Sequence, residues 1–291
     1  MTAHTHDGID WAARISDLRR ADEINAGALA ETADRLVGEL PRNPVVVDVG
    51  SGAGGMSAAL ASALSAREGG KLVLVDAVPD LLSVAAETAR TRAGSDRVEI
   101  ETLHLDVATP NLREHVPPAQ LVWAAAMVHH LPDQQSGLTG LARALGRGGV
   151  LAVAEGGLET HCLPWDLGIG SPGLERRLLA ARDDWFGEMR ATIPGAARMP
   201  YGWNVALEKA GLADVGSFSS LLDHPAPLSA PARGYVVDRF RRLVETVGDR
   251  LGADDRDAAA RLLDHDDSAY LGWREDLYVL GTQTIHFGRI R

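Results

Sequence analysis

The sequence predicts an α/β fold: a doubly wound, mostly parallel seven-stranded sheet with helices on both faces, an N-terminal helical segment and further helices inserted late in the chain. Three observations predict it. From residue 45 to residue 155, short apolar runs alternate with amphipathic stretches, the signature of parallel strands joined by crossover helices. The first run, Val45-Val46-Val47-Asp48-Val49, passes directly into Gly50-Ser51-Gly52-Ala53-Gly54-Gly55, a buried strand feeding a tight turn. A strand pattern returns at residues 277–287, so the intervening helices interrupt one domain and do not found a second.

Each element follows in order. Residues 1–8 read as a loose tail. Between 10 and 40, Ile15, Leu18, Ile24, Leu29, Leu36, Val37 and Leu40 recur at helical spacing, predicting two helices stopped by Pro41-Arg42-Asn43-Pro44. The first strand is 45–49. Met56, Ala59, Leu60, Ala63 and Leu64 give the next helix one apolar face. Strand 71–76 follows, and Pro79 opens a helix to about 92, as proline is tolerated in a first turn. Strands are predicted at 98–105, 121–127 and 150–155, with a helix at 134–145 ending at Gly146. Beyond Glu155 the alternation breaks. Leu174, Leu178, Leu179, Trp185, Phe186 and Met189 mark a first helical insertion, at about 156–200. A helix at 203–210 and a strand at 215–221 resume the pattern. Val236, Phe240, Leu243, Val244, Val247 and Leu251 mark a second insertion, at about 225–272. The predicted division is therefore 1–40, a tail and helical lid, and 41–291, one domain carrying two insertions.

The chain has 291 residues, 45% hydrophobic and 24% charged, the composition of an ordinary globular protein. No apolar run reaches membrane-spanning length, and residues 1–10 hold no signal-peptide core. The lone cysteine, Cys162, rules out an intrachain disulfide and fits a cytoplasmic protein. A formal charge of −11 argues against the phosphate backbone of nucleic acid as a main partner. Exposed faces of the insertions are compatible with a homo-oligomer.

The glycine turn admits two readings. Gly50, Gly52 and Gly55 satisfy G-x-G-x-x-G, the dinucleotide fingerprint. Asp48, Gly50, Gly52 and Gly54 satisfy D-x-G-x-G-x-G. A dinucleotide places a pyrophosphate on the helix N-terminus, where a neighbouring acid is unhelpful. S-adenosylmethionine carries an ammonium, a carboxylate and a sulfonium, and a neighbouring Asp48 suits it. Asp76 ends the second strand, where a carboxylate accepts from ribose hydroxyls in either cofactor. Asp106 follows the third strand, where an acid accepts from an adenine amino group. All three acids fall on the carboxyl edge of the sheet, where open α/β folds bind ligands. The plain alternative for each is a solvated loop carboxylate or a helix cap, which is the reading preferred for Asp80.

On these residues, together with Leu-Val-Leu-Val-Asp at 72–76, His-Leu-Asp-Val at 104–107, Met127-Val-His-His-Leu-Pro-Asp133 and Arg143-Ala-Leu-Gly-Arg-Gly-Gly-Val-Leu151, the chain resembles the class I S-adenosylmethionine-dependent methyltransferases, and within them the O-methyltransferase-like enzymes of small molecules. The resemblance spans about 45–155. It implies a Rossmann-like sheet with S-adenosylmethionine as cofactor. It also implies that Asp48, Gly50, Ser51, Gly52 and Gly54 face the methionine portion. Asp76 and Ala77 would then lie at the ribose, Asp106 and Val107 at adenine, and Ala125 beside the cofactor. Arg147 departs from the proline often found before the paired glycines, which touches a turn only.

If the acceptor is a hydroxyl, a general base helps, and histidine is the usual choice. The related O-methyltransferases carry a histidine-aspartate-tryptophan run after the fourth strand, with the histidine as base. His129 matches that histidine, and His130 stands where the aspartate would be. The alternative for both is a structural loop histidine. Glu155 either orients His129, touches substrate, or caps nearby N–H groups. His161, Cys162, Trp165, Asp166, Trp185 and Trp203 lie in or beside the first insertion, which the resemblance implies to be a lid. His130, His161, Trp165 and Trp185 are the candidate acceptor contacts, with core packing as the plain reading of Trp185. Trp11 and Arg19 lie on the segment expected to close over the cofactor. His129, His130, Asp133, His161, Cys162 and His224 show no tight ligand spacing, and His4 and His6 fall in the tail, so no metal site is expected. The partner expected is a small-molecule methyl acceptor, with neither nucleic acid nor membrane. The rival readings are a nicotinamide-dependent (NAD(P)) oxidoreductase, a relative that keeps the cofactor without transferring methyl, and a non-enzymatic interaction protein.

Overall fold

The computed structural model describes residues 10–107 and 111–291. The predicted tail, with His4 and His6, lies outside the described residues. One sheet of seven strands organises the chain: β1 (Val45–Val49), β2 (Gly70–Asp76), β3 (Val98–His104), β4 (Ala119–Ala125), β5 (Leu145–Ala154), β6 (Ala213–His224) and β7 (Val279–Arg289), in the spatial order β3-β2-β1-β4-β5-β7-β6. β1 pairs in parallel with β2 and β4, β2 with β3, and β4 with β5. β7 runs antiparallel to β5. Strand order reverses between β1 and β4, so the crevice at their carboxyl ends is the switch point where ligands enter such sheets.

Two compact units form. Unit 1 takes the described residues up to Gly157, then Ile193–Ser220 and Gln283–Arg291. Its central strands β1, β2 and β4 are apolar on both faces, as helices on both sides require. Val46, Leu72, Leu74, Leu121 and Trp123 face one core, filled by α1 (Ile15–Gly38), α2 (Gly55–Ser65) and α3 (Pro79–Ala93). Val47, Val49, Val73, Val75, Val122 and Val153 face the other, against α4 (Gln134–Arg143) and the short α6 (Trp203–Lys209). Asp48 shares parity with Val46 and therefore points toward α2.

Two expectations need correction. The segment before β1 is one helix of 24 residues after a 3-10 turn at Ala12–Arg14, and not two helices. No proline interrupts it, and Gly27 breaks nothing because the buried stripe Ile24, Leu29, Ala33, Leu36 and Val37 runs past it into the core. The helix expected to reach 145 stops at Arg143, and β5 starts at Leu145 rather than Val150. Leu145 already pairs with Ala119, and the register then shifts so that Val150 meets Leu121, with the glycines at 146, 148 and 149 absorbing the bulge.

Unit 2 takes Leu158–Thr192 and Leu221–Thr282. It is built on α5 (Leu174–Thr192), α7 (Ala230–Val247) and α8 (Ala253–Leu263). Ser229 caps α7 by accepting from the Ala232 N–H, and Tyr235, Val236, Phe240, Leu243 and Val247 bury its apolar stripe. A bidentate Arg177–Asp255 pair ties α5 to α8. Among the described residues, no helix is long and apolar enough to cross a membrane.

Candidate active site

The turn after β1 is fixed by its own backbone. The Gly50 and Ser51 N–H groups donate to the Val75 carbonyl at 2.8 and 3.2 Å. The Gly52 N–H donates to Asp76 Oδ2 at 3.0 Å, and the other Asp76 oxygen accepts from Val78 N–H at 2.9 Å. Asp76 thus locks the turn to the end of β2. Gly54, at φ +93°, lets the turn lie on α3: a Cβ there would stand 2.6 Å from Ala85 Cα. Gly55 lets α1 approach, since a Cβ would overlap the Asp22 carboxyl, which instead accepts from the Gly55 N–H at 3.0 Å.

Three carboxyls surround this turn, and each is held above its ordinary range. Asp48 is fully enclosed. Burial pushes it up to about 7, the neighbouring Asp76 and Asp22 add to the rise, and the Ser57 hydroxyl, donating at 2.5 Å, opposes it. Burial lifts Asp22 to about 6 against the Gly55 N–H, and it raises Asp76 against the N–H groups of Val78 and Gly52. Mutually repelling, poorly hydrated acids make a place where a cation is favoured.

In unit 1 a cavity of about 470 Å³ opens at the switch point. Gly50, Gly52, Asp76, Ala77, Asp106, Val107 and Ala125 line it, as do His129 and His130. Asp48 and Gly54 are not in this lining, and neither is Ser51; they sit behind the turn. Trp11, Leu18 and Met127 complete the wall. The residues fit S-adenosylmethionine. The Ser51 hydroxyl, outside the lining, is buried with no partner among the described residues. A Cβ on Gly52 would meet nothing closer than 4.0 Å, so the backbone is bare toward the cavity. The Asp76 carboxylate is at hand for ribose hydroxyls.

At the other end of the cavity, Glu155 is buried at the end of β5. One of its oxygens accepts from the N–H groups of Met127 and Val128, at 3.1 and 2.8 Å, and the other meets His129 Nδ1 at 2.6 Å. With Nδ1 engaged by Glu155, Nε2 is the His129 ring nitrogen left to face a ligand. His130 stacks on His129 with ring centres 4.1 Å apart, and Trp11 meets His130 edge-on at 5.9 Å.

The other sequence candidates fall elsewhere. His161 and Trp165 belong to unit 2 and line a separate cavity within it. Trp185 is half-buried on α5 and lines neither cavity. Cys162 is buried, and burial pushes its thiol up to about 12, which keeps it unreactive. Arg19 is exposed, and Trp203 packs on the second core of unit 1. Among the described residues, no three His, Cys, Asp or Glu side chains converge to hold a metal ion. The residue that sequence reasoning missed is Asp22. Its signal was an acid four residues after Leu18 and seven before Leu29, in line with the buried stripe of α1.

Comparison with known proteins fits this geometry. Residues 47–151 match the family model described as a methyltransferase domain. No curated protein matches the sequence. Solved structures give distant likenesses. A candidate methyltransferase of Bacillus halodurans C-125 is 17% identical, over 91% of this chain and 98% of that one, with a TM-score of 0.48. The YcgJ protein of Bacillus subtilis is 16% identical, over 92% and 98%, at 0.48. Phosphoethanolamine N-methyltransferase 2 of Haemonchus contortus, solved with S-adenosyl-L-methionine, is 15% identical, over 87% and 50%, at 0.43. The domain match covers the glycine turn, the ends of β1 and β2 and the histidine loop, and residues 47–151 accordingly form a methyltransferase domain.

Proposed function

We propose that the protein methylates a hydroxyl of a small-molecule acceptor, with His129 as general base, Glu155 as its positioning partner and His130 beside the acceptor. The observation that carries this reading is the 2.6 Å His129–Glu155 contact at a cavity that also contains the glycine turn. Bound S-adenosylmethionine supplies a methyl carbon activated by its sulfonium. What remains for the protein is alignment, exclusion of water and removal of one proton. With the cofactor bound, the acceptor oxygen would take the methyl group as the carbon–sulfur bond breaks and S-adenosylhomocysteine leaves, its proton would pass to His129 Nε2, and Glu155 would stabilise the imidazolium that results. Trp11 and Leu18 support the reading of residues 1–40 as a cover for the cofactor, since both line the same cavity. A small acceptor, rather than nucleic acid, is supported by the charge of −11, and a cytoplasmic location by the single, buried cysteine.

The test is kinetic. His129→Ala should lower kcat by about 100-fold or more on the true acceptor while cofactor affinity stays within about twofold. Glu155→Gln should lower kcat less, because a neutral amide still reaches His129 Nδ1 but stabilises the imidazolium more weakly. A His129→Ala enzyme as fast as wild type would remove the base assignment. Mass analysis showing no gain of a methyl group would favour the relative that binds the cofactor without transferring it.

A further inference from the structure

The cavity of unit 2 is unlike the one at the glycine turn. Its volume is about 450 Å³, within the range of small-molecule pockets. Of the six large apolar side chains that stand exposed among the described residues, four line it: Leu158, Trp165, Leu221 and Leu280, at 71%, 58%, 60% and 46% exposure. Such clustering of exposed apolar surface marks a binding site.

Trp165 is held in place despite its exposure. Its carbonyl accepts from the Gly173 N–H at 2.7 Å, and its ring covers Gly173, where a Cβ would lie 2.5 Å from the ring. The Arg176 guanidinium stacks on the ring, 4.8 Å from its centre. Arg176 lines the cavity and has no carboxylate partner among the described residues. The two acids of the lining are already satisfied. Glu159 accepts from Arg182 and Arg239, which hold it down at about 2 against the cost of burial. Glu175 is buried and accepts from the N–H groups of Cys162 and Leu163 and from His161 Nδ1 at 3.3 Å. The cavity therefore offers an aromatic shelf, three leucines and one uncommitted cation.

We propose that this cavity binds a small aromatic or alicyclic carboxylate, its ring on Trp165 and among the leucines and its anion on Arg176. The charge complement decides against a neutral ligand, because a guanidinium without a carboxylate partner at the edge of an apolar lining gains most from an anion. The assignment does not rest on the methyl-transfer reading.

Two dyes with the same rings test it on the full chain: anilinonaphthalene sulfonate, whose sulfonate stands in for the carboxylate, and uncharged phenylnaphthylamine. S-adenosylhomocysteine is present throughout to occupy the glycine-turn cavity. Wild type should bind one anionic dye, displaced by naphthoate and not by naphthalene methanol. Arg176→Gln should weaken the anionic dye about tenfold and the neutral dye less than about twofold. Trp165→Ala should weaken both, with Leu158→Ser as a second variant should the tryptophan change disturb the circular dichroism. Equal binding of both dyes by wild type and all variants would overturn the proposal. So would a dimer in sedimentation that Trp165→Ala dissociates while dye binding is unchanged, since a second copy would then be the occupant.

Discussion

Asp48 ends an apolar strand, yet it neither reaches solvent nor lines the cavity: it sits enclosed behind the turn with the Ser57 hydroxyl as its hydrogen-bond donor. Together with Asp22 and Asp76 it makes the site's protonation state depend on what is bound. The sign follows from the raised values. A carboxyl whose folded pKa lies above the unfolded 3.8 stabilises the fold while protonated, fully so below 3.8, and loses that contribution as pH rises through about 6 for Asp22 and about 7 for Asp48. A bound cation favours the ionised forms instead. S-adenosylmethionine should therefore bind more tightly as pH rises through about 6 to about 7, releasing protons as it does. Calorimetry in buffers of different ionisation heat measures both, and a flat affinity with no proton release would contradict the account. Asp48 and Asp76 were legible in the sequence because each stands at the end of an apolar run, and Asp106 because it follows just after a strand. Asp22 was not, because the pairing that matters lies between residues 33 positions apart and only the approach of α1 to Gly55 creates it.

The glycine turn is an element whose glycines do different work, and substitution separates them. Gly54→Ala meets both a left-handed φ and the Ala85 backbone, so it should cost about 3 kcal/mol, from roughly 1–2 for the backbone and 1–3 for overpacking. For a chain of this size that lowers the thermal midpoint by roughly 5 °C. Gly52→Ala has open space and only the φ strain, so its melting temperature should fall by less, while the new methyl narrows the cavity and weakens cofactor binding about tenfold or more. Thermal melts with and without cofactor distinguish the two, and equal effects of the two variants would contradict the division of roles. β1 was legible to the residue because its apolar run is bounded by Pro44 and Gly50. The junction of α4 and β5 was not, since Leu145 completes the helical spacing and only its pairing with Ala119 makes it strand. α8 escaped because its inward side chains are largely alanine, which leaves a weak apolar period.

At the scale of the molecule, the sheet was readable because parallel strands buried on both faces are continuous apolar runs, and because crossover connections admit few arrangements. The placement of β7 between β5 and β6 was not, since an antiparallel return carries no local mark in the sequence. What the topology achieves is to bring the ends of β1, β2 and β4 to one crevice, so that residues as far apart as Gly50 and His129 line one cavity. The central claim is that this crevice holds S-adenosylmethionine. Isothermal calorimetry of the full chain with S-adenosylmethionine, and separately with NADH, tests it most directly. The account predicts one site of micromolar affinity for S-adenosylmethionine, none for NADH, and a loss of about tenfold on Asp76→Asn, which removes the carboxylate that holds the turn and is proposed to accept from the ribose. No binding of S-adenosylmethionine up to millimolar concentration, or tight binding of NADH in its place, would contradict it.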